Sequence, residues 1–214
     1  MSAIRNSLLL IVGLLVFAAC EKATPNEDDV TTGEGKSIVI YFSHPVPESV
    51  DATSGASMVY KDNKLYGSVQ YMAEVIQTET DSDIHRITVA GNHYPGTYQA
   101  LADAANKEKA DGVHPALTST LENLGDYDTI FLGTPIWWYT LPMPVFSFLD
   151  QYDLSGKRVI PFTAHEGSGL GGAPATIKAE EPGATVETNG FSARGNQVTS
   201  QDSAIKDWLK KLGF

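Results

Sequence analysis

Three consecutive aromatic residues, Trp137, Trp138 and Tyr139, stand between Pro135 and Pro142, directly after an apolar run. Planar, electron-rich side chains in a proline-stiffened loop make a surface on which a flat conjugated ring can stack. Three such residues in succession cannot all point into a core. Neighbouring residues of an extended loop alternate in direction, so Trp137 and Trp138 are expected to take different roles. One faces a ligand ring, for which Trp138 is the candidate, and the other packs into the domain. Thr134, Pro135 and Ile136 lead into this loop and are expected to line the same site. A second loop runs Thr163-Ala164-His165-Glu166-Gly167-Ser168-Gly169-Leu170-Gly171-Gly172. Here His165, Gly167, Ser168 and Gly169 are candidates, because glycine-rich backbone can hydrogen-bond the edge of a ring. A third loop starts at Ser43-His44 and reaches a helix only near residue 65, far beyond the roughly two to six residues of an ordinary connection. It ends in Tyr66-Gly67-Ser68. Gly67 permits close backbone approach, and the free N–H groups of a helix start can hold a phosphate dianion. The Ser43 and Ser68 hydroxyls could add donors, although Gly67 as a plain turn and Ser68 as a plain helix cap explain the same pattern.

Two other chemistries are suggested by the second loop and fail on position. Gly167, Gly169 and Gly172 match G-x-G-x-x-G, with Glu187 twenty residues after Gly167, but a dinucleotide-binding fold places that motif in its first unit. Ser168 lies three residues after His165, yet Glu166 and Leu170 occupy the outer glycine positions of a nucleophile elbow. A histidine so close on the same loop is also poorly placed to act as the base of Ser168. His44, His85, His93, His114 and His165 are scattered without paired spacing, which does not support a metal site.

The elements that must position these loops alternate. Residues 37–42 form a continuous β-branched and aromatic run, as a strand buried on both faces requires. Helical spacing over 65–77 places Val69, Met72, Ala73 and Ile76 on one face, and residues 57–60 and 64–66 flank a turn that reads as a surface hairpin. Further strands are predicted at 84–89, 129–132, 159–162 and 186–191, and helices at 98–110, 143–151, 174–180 and 203–212. Alternation of this kind implies an α/β fold, a three-layer sandwich with a five-stranded parallel sheet between helices. The strand number favours the order 2-1-3-4-5, with the ligand beyond the carboxyl ends of the strands at the switch point.

At the level of motifs the chain resembles the flavodoxin-like proteins. The resemblance runs from Ile38 to the end. It rests on Tyr41-Phe42-Ser43, Val50-Asp51-Ala52-Thr53-Ser54-Gly55-Ala56, Tyr127-Asp-Thr-Ile-Phe-Leu-Gly-Thr-Pro-Ile-Trp-Trp138, Leu141-Pro-Met-Pro144, Tyr152-Asp-Leu-Ser-Gly-Lys157 and Pro161-Phe-Thr-Ala-His-Glu-Gly-Ser-Gly169. It implies FMN bound without a covalent link, its phosphate on the loop after the first strand and its ring between the later loops. Where the family has Gly-Asn-Thr at the first helix, this chain has Gly67-Ser68-Val69, so Val69 lacks the hydroxyl offered to the phosphate. A lost hydrogen bond to a charged group weakens binding by about 1.5 to 3 kcal/mol. Glu166 replaces a glycine of many relatives, and a carboxylate there disfavours an anionic reduced ring.

The N-terminal residues read as a lipoprotein signal. Arg5 precedes an apolar stretch over 8–19, too short to span a bilayer, and Phe17-Ala18-Ala19 leads to Cys20, the only cysteine of the chain. Residues 1–19 are expected to be removed, Cys20 to carry a lipid, and 20–35 to form a disordered tether before the domain at 36–214. A lone cysteine excludes an internal disulfide and a cysteine-based metal site. The net charge of −11 repels nucleic acid. The expected product is a flavin-dependent redox protein of the cell envelope, exchanging electrons with a partner protein or a small acceptor such as a quinone. The competing expectation, kept open by Val69, is a binding module that has lost FMN and holds another ligand or partner. Cys20→Ala should abolish lipid labelling and move the protein out of the membrane fraction; identical fractionation of both forms, with lipid on neither, would refute the anchor.

Overall fold

The computed structural model describes residues 35–45 and 58–214. The signal stretch, Cys20, nearly all of the tether and the 50–56 motif lie outside the described residues. The elements are β1 Ser37–Phe42, the hairpin β2 Met58–Lys61 and β3 Lys64–Gly67, α1 Ser68–Thr80, β4 Asp83–Ile87, α2 Tyr98–Asp111, β5 Thr129–Pro135, α3 Met143–Gln151, β6 Arg158–His165, α4 Ala173–Glu180, β7 Thr185–Val186, β8 Phe191–Arg194 and α5 Asp202–Lys211. No helix among them is long and apolar enough to cross a membrane.

The sheet order is β4-β1-β5-β6-β7, with β8 also on β6, and every pairing in it is parallel. This is the expected 2-1-3-4-5 order with its fifth strand in two pieces. Period-two alternation sends each strand's side chains to two separate cores. Ile38, Ile40 and Phe42 of β1 join Ile130 and Leu132 of β5 under Leu101 of α2, Phe148 of α3 and Ile177 of α4. Val39 and Tyr41 join Phe131, Ile160 and Phe162 under Val69, Met72 and Ile76 of α1 and Leu209 of α5.

The observed elements depart from the predicted ones for local reasons. Helix α1 begins at Ser68 rather than 65, because Gly67 is still paired with Met58 in the hairpin. The hairpin turns through Asp62 and Asn63, both left-handed at φ 49° and 62°, residue types that tolerate such a turn. Strands β5 and β6 run on to Pro135 and His165, so Thr134, Pro135 and His165 are strand ends rather than loop residues. The Thr134–Thr163 and Pro135–Ala164 pairs carry that extension. The fifth strand breaks at a proline. Lys157, just before β6, and Val159 within it accept from the N–H groups of Thr185 and Glu187, and the next β6 residue facing that way, Pro161, has no N–H to give. Pairing resumes only at Phe162–Phe191.

Gly133 sits opposite Phe162 in this sheet. A Cβ at Gly133 would lie 2.1 Å from Cζ of that buried ring. Gly133→Ala should therefore destabilise the fold by about 1 to 3 kcal/mol, the usual cost of overpacking. Urea unfolding measures it, and an unchanged midpoint would show that the ring moves aside freely.

Candidate functional site

Parallel pairing brings the ends of β1, β5 and β6 to one edge of the sheet, where the loops that leave β5 and β6 meet. A cavity of about 510 Å³ opens between them. One wall is Ile136, Trp138 and Tyr139, the facing wall is Glu166, Gly167 and Ser168, and Tyr98 at the start of α2 closes a third side. The volume is that of a site for a small organic ligand. A smaller cavity of about 110 Å³ lies beside Ser43 and His44, with Arg86 at the end of β4.

The aromatic loop folds back on itself instead of running extended. Trp137 and Thr140 exchange both backbone hydrogen bonds at 3.0 Å, with Trp138 and Tyr139 between them at φ 50° and 65°. This is a two-residue turn with both central residues left-handed, a position that favours Asn-Gly. Two bulky residues there store strain of order 1 kcal/mol or more each, and such strain clusters at ligand sites. The turn, rather than strand-like alternation, separates the two tryptophans. Trp137 is 2% exposed, its ring edge-on to Phe42 and Tyr94 at 5.5 and 5.3 Å. Trp138 stays half-buried at the cavity wall. Its Nε1 donates to the Ala102 carbonyl at 3.0 Å, and its own carbonyl accepts from Lys109 Nζ at 2.7 Å. Both bonds tie the turn to α2. Tyr139 is 82% exposed at the tip.

Among the described residues, four buried side-chain polar atoms have no hydrogen-bond partner: Ser43 Oγ, Ser68 Oγ, Trp137 Nε1 and His165 Nδ1. All four belong to the loops that the sequence marked, at the ends of β1, β5 and β6 or the start of α1. An unpaired buried polar group costs about 1 to 3 kcal/mol, so their clustering at one edge marks a place where a polar ligand completes the bonding. Ser43 and Ser68 are 2% and 0% exposed. Gly67 lets the chain pass close to Ser43, since a Cβ would lie 2.3 Å from Ser43 Oγ and would push that hydroxyl aside. Its N–H donates to Oε1 of Gln70 at 3.4 Å, while no side chain caps the N–H groups that begin α1. Val69 is fully buried in the α1-facing core, so only its backbone belongs to the site. Thr134 is buried with its hydroxyl donating to the Pro135 carbonyl, and neither residue lines the larger cavity.

Burial is the main cause that lowers the pKa of both His44 and His165, helped by the Arg86 guanidinium for His44 and the Arg194 guanidinium for His165. Both rings are thus neutral at neutral pH, and the positive charge beside each is that of its arginine. Arg194 donates to the Glu166 carbonyl and braces the glycine-rich loop, which is also held by Thr163 Oγ1 donating to the Gly169 carbonyl at 3.0 Å. No hydrogen bond among the described residues joins His165 to Ser168, and no cluster there could hold a metal ion. Sequence reasoning passed over Tyr98 and Arg86, and it set Tyr139 and Glu166 beside the ring without counting them among the binding residues. The aromatic run already contained Tyr139. Tyr98 and Arg86 carried no local signal, being one aromatic at a helix start and one charge in a short strand.

A family model described as flavodoxin matches residues 66–212. No curated protein matches the chain significantly. Among solved structures, a presumed flavoprotein from Bacteroides uniformis has a TM-score of 0.63 at 27% identity, over 82% of this chain and 98% of that one. Another from Bacteroides eggerthii has a TM-score of 0.61 at 26% identity, over 84% and 98%. A Lactobacillus acidophilus flavoprotein in complex with FMN has a TM-score of 0.56 at 19% identity, over 78% and 97%, and shares the fold.

Relief of the turn strain gives a direct test of the site's geometry. Tyr139→Gly should stabilise the ligand-free protein by about 1 kcal/mol, because glycine adopts this conformation without a Cβ penalty. Thermal unfolding checks it; a loss of stability would mean that the exposed Tyr139 ring makes a contact worth more than the strain.

Proposed function

Because the chain belongs to the flavodoxin family, we propose that it is an FMN-binding redox protein, working as an electron carrier or as a reductase of a small acceptor. The observation that carries this reading is the set of four unpartnered buried polar atoms on the loops around the sheet edge. Hydroxyl donors from Ser43 and Ser68, with the backbone N–H groups after Gly67, suit the phosphate. The wall of Ile136, Trp138 and Tyr139 and the facing backbone of Gly167 and Ser168 suit a flat ring with polar edges.

Bound FMN supplies the redox chemistry, one or two electrons accepted and passed on. The protein's part is binding and tuning. Trp138 and Tyr139 shield the ring from water on one side, and neutral His165 adds no charge. The Glu166 carboxylate, in the cavity wall, disfavours negative charge on a reduced ring and so holds the potential down. With the lipid anchor on Cys20, electron exchange with a redox partner or a quinone would take place at a membrane surface of the cell envelope. The reading that FMN has been lost in favour of another ligand rests on Val69, whose fully buried apolar side chain gives a phosphate nothing.

Purified protein titrated with FMN and with riboflavin distinguishes the two. FMN should bind the more tightly, with its fluorescence quenched. Trp138→Ala should restore that fluorescence and leave folding nearly intact, whereas Trp137→Ala should cost roughly 3 to 5 kcal/mol of stability. A colourless protein that takes up neither flavin would favour the binding-module reading.

A further inference from the structure

Arg86 is a cation at this edge to which the FMN reading above assigns no role. It is the register partner of Tyr41, and Tyr41 faces the α1 core. In-register partners share a sheet face, so Arg86 stands on the same side as the start of α1. Its Nη2 donates to the Ser43 carbonyl at 2.6 Å, at the point where β1 stops. The unpartnered Ser43 hydroxyl there faces Gly67, and Ser68 adds a second unpartnered hydroxyl in the next position.

The charge balance at this point is unusual. Arg158, at the opposite end of the sheet, is paired with Glu187 at 2.8 Å. Among the described residues no carboxylate pairs with Arg86, although the chain carries 26 Asp and Glu. Fixing the Ser43 carbonyl uses one N–H, and a guanidinium has five. The free N-terminus of α1 adds about half a positive charge of its own. Two positive ends and two unpartnered hydroxyls thus lie at one end of β1, and among the described residues no carboxylate pairs with them. The field of Arg86 extends into the small cavity, where it lowers the pKa of His44 after burial has done so.

We infer, on the premise that this edge is the FMN site, that Arg86 is a phosphate-binding residue, a charged donor to the phosphate dianion where Val69 leaves a hydroxyl missing. The guanidinium reaches the cradle from β4, the strand beside β1, on the sheet face that α1 covers. Its charge makes the site selective for a phosphorylated flavin over the bare ring. A guanidinium adds its own positive charge and a second parallel donor to what a single hydroxyl would offer the dianion.

The test uses the purified full chain, Arg86→Gln and Arg86→Lys, with circular dichroism as the check on folding. Each is titrated with FMN and riboflavin, and each ligand-free form is heated with and without inorganic phosphate. Arg86→Gln should weaken FMN roughly ten- to hundred-fold and leave riboflavin unchanged, and it should erase the stabilisation by phosphate seen in the parent protein. Arg86→Lys should fall between, keeping the charge without the fork. Equal weakening of both flavins would overturn the inference, since Arg86 would then only clamp Ser43. An undiminished preference for FMN in Arg86→Gln would overturn it as well. Stabilisation of the parent by phosphate, lost in Arg86→Gln, without uptake of either flavin would uphold the anion site and sink the FMN reading instead.

Discussion

Parallel pairing of β1 with β4 on one side and β5 on the other is the constraint from which the rest of the molecule follows. A strand flanked on both edges and covered on both faces has to be apolar throughout, and 38–42 are buried without exception. The chain leaves β1 toward one layer of helices and reaches β5 through the other, so the loops after β1 and β5 part at the sheet edge. A crevice at that point is a property of the winding. Helices α1 and α5 then lie on one face and α2, α3 and α4 on the other, each finding its own half of the alternating side chains.

Within that crevice the molecule departs from what its own stability would favour. Trp138 and Tyr139 occupy backbone positions meant for small residues, and buried hydroxyl, indole and imidazole atoms go without partners. Elsewhere in the two cores packing is apolar, and Trp137, at the margin of one of them, carries its unpartnered indole N–H to this edge. Local rules broken together at one place are what a binding edge looks like in an otherwise consistent fold. The bonds from Trp138 to α2 keep the strained turn in place, so the cavity wall is as rigid as the helix behind it.

Much of this was legible in the residues. The run at 37–42 and the helix at 143–151 match β1 and α3 to the residue, since continuous burial and proline punctuation are strong local signals. The site loops were also legible, because aromatic and glycine-rich segments at strand ends have few other uses. What escaped depended on which way a group points across the sheet. The break between β7 and β8 follows from the side on which Pro161 lacks its N–H, and that side is set by register. The reversal at Trp138-Tyr139 runs against residue preference and so left no trace. The place of Val69 in the core rather than at the phosphate required knowing the rotation of α1. Arg86 needed the pairing of β4 with β1 before its reach to Ser43 had meaning.

The proline that severs the fifth strand also bears on how copies of the domain behave toward one another. An uninterrupted edge strand offers a row of unsatisfied N–H and C=O groups on which another chain can add. Here that edge is divided into a two-residue and a four-residue piece, too short to template a partner. The opposite edge strand, β4, carries Asp83 and Arg86, and charged side chains blunt an edge in the same way. Were the domain tethered to a membrane through Cys20, as proposed, neighbours would be crowded into a plane, and such edges would discourage sheet-to-sheet aggregation there.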